Sequence, residues 1–153
     1  MGDVHAFVIM QIGSPHLDCV YELAIVPAIR ACGLEPRRVD RHNRGGLLHS
    51  EIVEFIEDSR ILVADLTNER PNCYLEVGYA LGAHRSSHLV LTAREDHQPE
   101  SPHYRSDGPR IHFDLSGYDI LFWDPARLDQ FRAQLAKRIR RRLELLEPAP
   151  PPI

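Results

Sequence analysis

The sequence predicts an α/β fold: a single doubly wound, flavodoxin-like or Rossmann-like domain built on a mainly parallel five-stranded sheet. Three observations carry that expectation. Short apolar runs rich in β-branched residues alternate with stretches of helical periodicity. Each run stops at a polar or Gly/Pro-containing turn, and the spacing between runs leaves room for a crossover helix, which in a parallel sheet is right-handed.

The elements follow in order. Val4 to Met10 is a continuous apolar run, as expected of a strand buried on both faces, and Gly13-Ser14-Pro15 ends it. Ser14 suits a helix N-cap and Pro15 the first helical position. Leu17, Val20, Tyr21, Leu23, Ala24, Ala28 and Ile29 then recur at helical spacing up to Gly33, with Pro27 inside the pattern predicting a kink. Leu34 to Val39 reads as a second strand ending at Asp40, followed by the polar loop from Arg41 to Gly46. Leu48, Ile52, Phe55 and Ile56 form one face of a second helix, and Arg60 to Ala64 is the third strand, ending at Asp65. After the tight loop from Asn68 to Pro71, Asn72 is expected to cap a helix whose Cys73, Val77, Ala80 and Leu81 face the sheet. Leu89 to Thr92 is the fourth strand.

Between Ala93 and Arg110 the pattern dissolves into eighteen mostly polar residues with three prolines, a length that points to a lid or a disordered insertion. Ile111 to Leu115 and Ile120 to Trp123 read as short strands. Pro125 then opens a terminal helix carrying Leu128, Phe131, Leu135, Ile139 and Leu143. The domain is expected to span residues 1–146, with 147–153 a Pro-rich disordered tail.

Composition narrows the function classes. The chain has 153 residues, 43% of them apolar and 26% charged, and no apolar run long enough to span a bilayer. No membrane association is expected, and the absence of a basic-then-apolar leader points to the cytoplasm. Cys19, Cys32 and Cys73 form no C-x-x-C pair and read as reduced thiols, while the nine histidines form no recognised ligand motif, so neither metal nor cofactor is expected. A formal charge of −4 argues against general nucleic-acid binding, and the basic run of Lys137, Arg138, Arg140, Arg141 and Arg142 reads as a solvated helix face.

In an open parallel sheet, ligands bind where loops leave the carboxyl ends of the strands. Chain order delivers Gln11, Gly13 and Ser14 there after the first strand, Asp40 and its loop after the second, and Asp65, Thr67 and Asn68 after the third. Asn72 and Glu76 follow on the first turns of the next helix, four residues apart and so on one face, with Val77 and Ala80 turned away. By spacing alone, Glu76 is better explained by a solvated carboxylate near its helix N-terminus than by a reactive one.

A resemblance sharpens this. Val63-Ala64-Asp65-Leu66-Thr67 followed by Pro71-Asn72-Cys73-Tyr74-Leu75-Glu76-Val77-Gly78-Tyr79-Ala80-Leu81-Gly82 resembles the nucleoside 2-deoxyribosyltransferase-like superfamily, in particular its TIR-like or nucleotide-binding branch. Phe7 to Gln11, Arg38-Val39-Asp40, Gly45-Gly46 and Phe113-Asp114-Leu115 are similar to the same pattern in the same order. The resemblance implies cleavage of an N-glycosidic bond in a nucleoside, a nucleotide or NAD. Glu76 stands at the position of the family's nucleophile, Asp65 would position sugar or base, Asn72 would hold Glu76 or a sugar hydroxyl, and Gly13 and Ser14 would meet a 5′-hydroxyl or 5′-phosphate. Gln11 and Ile12 stand where the transferases commonly carry an aromatic residue, a departure that favours hydrolysis over transfer. A homodimer or higher oligomer packed through Gly78, Tyr79, Ala80 and Gly82 is also implied. The competing functions are a nucleotide-binding sensor without turnover and a TIR-like interaction module.

Overall fold

The computed structural model describes residues 4–39, 50–147 and 152. Asp40, the Arg41 to Gly46 loop and most of the proline tail lie outside the described residues. The sheet has five strands, β1 (His5–Ile9), β2 (Glu35–Arg37), β3 (Ile61–Asp65), β4 (Leu89–Arg94) and β5 (Ile120–Trp123), in the spatial order β2-β1-β3-β4-β5. Every neighbouring pair is parallel: Phe7 lies beside Arg37 and Leu62, Val63 beside Val90, and Leu91 beside Ile120. This is the flavodoxin-like order, and it reverses direction between β1 and β3, which places the crevice of such folds at the carboxyl ends of those two strands.

The strand alternation sorts the core into two layers. Ala6, Val8, Met10, Ile61, Val63, Val90, Leu121 and Trp123 face α1 (Pro15–Val20), α2 (Val26–Ala31) and α5 (Leu128–Leu146). Phe7, Ile9, Leu62, Ala64, Leu91 and Ile120 face α3 (Ser50–Asp58) and α4 (Pro71–Gly82). Helices on both faces explain why these strands read as unbroken apolar runs.

Four local features differ from the sequence reading. The kink expected at Pro27 is instead a π-helical turn, Tyr21–Ile25, joining α1 to α2, in which the Val26 N–H reaches back to the Tyr21 carbonyl. The widened turn accommodates a proline ring that a regular α-helix would press against the preceding turn. Asn72 does not cap α4. The N-cap is Arg70, because Pro71, with its fixed φ and missing N–H, takes the first helical position. Ile111 to Leu115 is not a strand but leads into a 3₁₀ turn, Phe113–Gly117, with Phe113 at φ 57°. There the Arg110 N–H donates to Glu69 and the His112 N–H to the Tyr74 hydroxyl, so side chains take the donors a ladder would need. Finally, Pro125 and Ala126 form a turn tied by Asp124, and the terminal helix begins only at Leu128.

Of the residues expected to form an insertion, Ala93 and Arg94 extend β4, and residues 95–110 are a chain of turns rather than a structureless segment. Successive backbone hydrogen bonds run from Gln98 to Glu95, Ser101 to Gln98 and Tyr104 to Ser101, and the Glu95 side chain is bonded by both Ser101 and His103. Among the described residues, no helix is long and apolar enough to cross a membrane.

Phe131 stacks on Trp123 with ring centroids 5.4 Å apart, joining α5 to β5. Phe131→Ala is expected to lower unfolding free energy by about 3–5 kcal/mol, read as a reduced urea midpoint with unchanged slope.

Candidate functional site

The carboxyl edge of the sheet is organised by Asp65, the last residue of β3 and completely inaccessible to solvent. Its Oδ2 accepts from the Thr92 hydroxyl at 2.5 Å and the Trp123 indole Nε1–H at 2.8 Å, and its Oδ1 accepts from the Thr67 backbone N–H at 3.1 Å. One carboxylate thus ties the ends of β3, β4 and β5 together. A buried charge is tolerated only when its lone pairs are met, and three donors meet most of the four that a carboxylate offers.

A second chain of bonds leaves from Thr67. Its hydroxyl accepts the Arg94 N–H at 2.9 Å, and Arg94 Nε donates to Asp96 at 2.9 Å. His97 lies 2.8 Å from the same Asp96 oxygen through Nδ1, while its Nε2 accepts the Asn68 N–H at 3.0 Å. That acceptance puts the ring proton on Nδ1, which donates to Asp96. Asn68 Nδ2 then donates to Gln11 Oε1 at 2.8 Å, across the crevice between β1 and β3. Burial opposes ionisation of Asp96, but hydrogen bonds from Arg94 and His97, with the Arg94 charge, outweigh it and hold its carboxyl below the ordinary value.

The loop after β3 is strained. Asn68 and Glu69 take φ of 69° and 55°, consecutive left-handed conformations that cost non-glycine residues on the order of 1–3 kcal/mol each. The bonds from Asn68 to His97 and Gln11 hold the first in place. Glu69 is held by the Arg110 N–H and by His112, 2.7 Å away through Nε2. Desolvation pushes the Glu69 carboxyl up, but these hydrogen bonds and the nearby His112 and His97 leave it below its usual range.

Glu76 lies in the second turn of α4, 1% exposed. It shares the helix's buried stripe with Cys73, Val77 and Ala80, so the expectation that Val77 and Ala80 turn away from it is corrected. Asn72, one turn earlier, is exposed and lies outside the stripe. The reason is angular: 73, 76, 77 and 80 fit within one arc of a 3.6-residue helix and 72 falls on its flank. Glu76 is engaged in a hydrogen-bonding or electrostatic interaction, as a carboxylate in that position must be.

After β1, Gly13 sits exposed at φ 90°, a conformation that suits glycine, and Ser14 caps α1 by accepting the Leu17 N–H at 3.4 Å. The structure therefore gathers Gln11, Asp65, Thr67 and Asn68 into one bonded network at the carboxyl edge, with Gly13 and Ser14 in the loop leaving β1. Glu76 is on the helix that follows, and Asp40 lies outside the described residues. Thr92, Arg94, Asp96, His97 and Trp123 complete the network and were missed as site residues in the sequence. Their signal was weak but present: Thr92 is a hydroxyl inside an otherwise apolar strand, and both Thr92 and Trp123 fall at carboxyl ends of strands. Among the described residues, no group of three or more His, Cys, Asp or Glu side chains could hold a metal ion.

Asp65→Asn leaves the Thr92 hydroxyl and the Trp123 indole N–H competing for poorer acceptors; we expect a loss of about 2–3 kcal/mol in denaturant titration, with Thr92→Val costing less. For Asp96, stability is fully present above the ordinary carboxylate range, about pH 4, and is lost as pH falls through its lower folded value. Asp96→Asn should flatten that part of the acid limb in a thermal-melting series while leaving its shape at neutral pH unchanged. Compared with known proteins, the chain matches no family model and no curated protein.

Proposed function

We propose that this protein cleaves the N-glycosidic bond of a nucleoside, a nucleotide or NAD, with Glu76 as nucleophile. The observation that carries the reading is a carboxylate 1% exposed on the helix that leaves the switch-point strand β3. Burying an acid on the stripe it shares with Cys73, Val77 and Ala80 costs desolvation that its interactions must offset, whereas a glycosidic reaction uses a carboxylate close to an apolar wall. As the base departs with the bonding electron pair, positive charge grows on the sugar, and the Glu76 carboxylate stabilises it or forms an ester at C1. Water then attacks that carbon and releases Glu76. Gly13 and Ser14, in the loop leaving β1, are the residues for the 5′ end of the sugar. Gln11, Thr67 and Asn68 shape the floor of the crevice.

Asp65 has a different part from the one its motif implies. With both oxygens bonded inside the protein, it is a positioning residue that holds β3 against β4 and β5. The same observation favours the second reading, a nucleotide-binding module without turnover, because it removes one carboxylate from contact with a substrate.

The two readings separate on Glu76→Gln. Incubated with a panel of nucleosides, nucleoside monophosphates and NAD, the wild type should release free base on chromatography. The variant should keep its substrate affinity and lose at least about tenfold in rate, one such factor for each 1.4 kcal/mol of lost stabilisation. Base release at the wild-type rate from the variant would leave only the binding module.

We also propose that the chain is a homodimer or higher oligomer. The surface that supports this is the outer side of α4, where Leu75 is 57% exposed beside Tyr74, Gly78 and Tyr79, and where Phe113 is 81% exposed. Ala80, expected in that interface, packs in the core instead. Sedimentation at micromolar concentration should show more than a monomer, and Leu75→Lys should return it to one.

A further inference from the structure

The basic run on α5 lines a groove against β4 and β5 that shares no lining residue with the carboxyl-edge network. Lys137, Arg138, Arg141 and Arg142 border a concavity of about 550 Å³ beside Asp119 and Leu121. Val90 and Leu145 add apolar surface. Val90 lies beside Val63 and Leu121 beside Thr92, so the groove rests on β4 and β5, and none of its lining residues belongs to the Asp65 network.

The charge balance in this groove is one-sided. Lys137 and Arg141, and Arg138 and Arg142, are each four residues apart on one helix, where like charges repel and destabilise it by about 0.2–0.5 kcal/mol per pair. Arg138 is paired with Asp119 at 2.8 Å, and Arg141 with Glu144 at 3.3 Å. Lys137 and Arg142 have no carboxylate partner among the described residues. The positive field also reaches the neighbouring His88: burial is the first cause that lowers its pKa, and the charges of Arg85, Arg60 and Arg142 lower it further.

We infer that this groove binds the polyphosphate group of a small soluble ligand. Four cations on one wall match a multiply charged anion, and the three guanidinium groups among them offer planar donors suited to phosphate oxygens. The volume falls in the range of small-molecule sites, and the apolar patch from Val90, Leu121 and Leu145 gives a non-charged part of the ligand a surface to cover. An extended polyanion such as nucleic acid is disfavoured by the chain's net charge of −4 and by Asp119 within the groove and Glu144 beside it.

The test is calorimetric titration of the full chain with sodium tripolyphosphate, with adenosine triphosphate and with a short single-stranded oligonucleotide. Tripolyphosphate and adenosine triphosphate should both bind. The double variant Lys137→Gln with Arg142→Gln should weaken each by at least about tenfold, as expected for two lost charge-assisted contacts. Arg132→Gln, on an exposed part of the same helix, should bind both as the wild type does. An unchanged melting temperature of the double variant shows that its loss is local. The inference is overturned if tripolyphosphate does not bind the wild type, if the double variant binds it equally well, if Arg132→Gln weakens it as much, or if the oligonucleotide binds more tightly than tripolyphosphate.

Discussion

A buried carboxylate at the end of the central strand organises this molecule. Asp65 accepts hydrogen bonds from the next-but-one residue of its own chain, from a hydroxyl on β4 and from an indole on β5. Parallel strands end independently of one another, because their connections leave over the faces of the sheet rather than joining neighbours directly. Their carboxyl ends therefore need a side-chain device to hold a common level. Here one charged group does it for three strands, and burial makes it stringent: its donors cannot be withdrawn without leaving an uncompensated charge in an apolar interior.

The loop that follows depends on that tie. Because Asp65 fixes the Thr67 N–H, and Thr67 in turn takes the Arg94 N–H, the chain after β3 is anchored to β4 before it turns into α4. This anchorage is what lets Asn68 and Glu69 stay in left-handed conformations that their side chains disfavour. The same strained pair carries the bonds that cross the β1–β3 crevice to Gln11 and reach His97 and His112. Strain, the topological switch point and the densest polar network coincide in a few residues, and Glu76 is delivered on the helix they launch.

The carboxyl-edge network and the groove beside α5 have opposite electrostatic character. The carboxyl edge is built on acids whose charges are consumed internally, Asp65 by neutral donors and Asp96 by Arg94 and His97. The groove between α5 and strands β4 and β5 gathers cations, two of them without carboxylate partners among the described residues. None of the groove's lining residues belongs to the carboxyl-edge network, so an anion drawn to one is not drawn by the same groups to the other.

The sequence by itself determined the fold class, the parallel sheet and the approximate place of its five strands along the chain. These follow from local rules: apolar runs with helices on both faces, turn residues at their ends, and crossovers of one hand. Only the tertiary structure decided what each polar residue does at the carboxyl edge. Asp65 and Glu76 look alike in the chain, yet one is saturated by Thr92 and Trp123, residues 27 and 58 positions away, while the other is buried on a helix stripe. Likewise, Ile111 to Leu115 has the composition of a strand, yet it runs into a 3₁₀ turn, with the His112 N–H given to the Tyr74 hydroxyl and that of the preceding Arg110 to Glu69. Periodicity reports how a segment meets the core, but hydrogen-bond partners distant in sequence are set by how the layers come together, and a single chain of letters carries no distance between them.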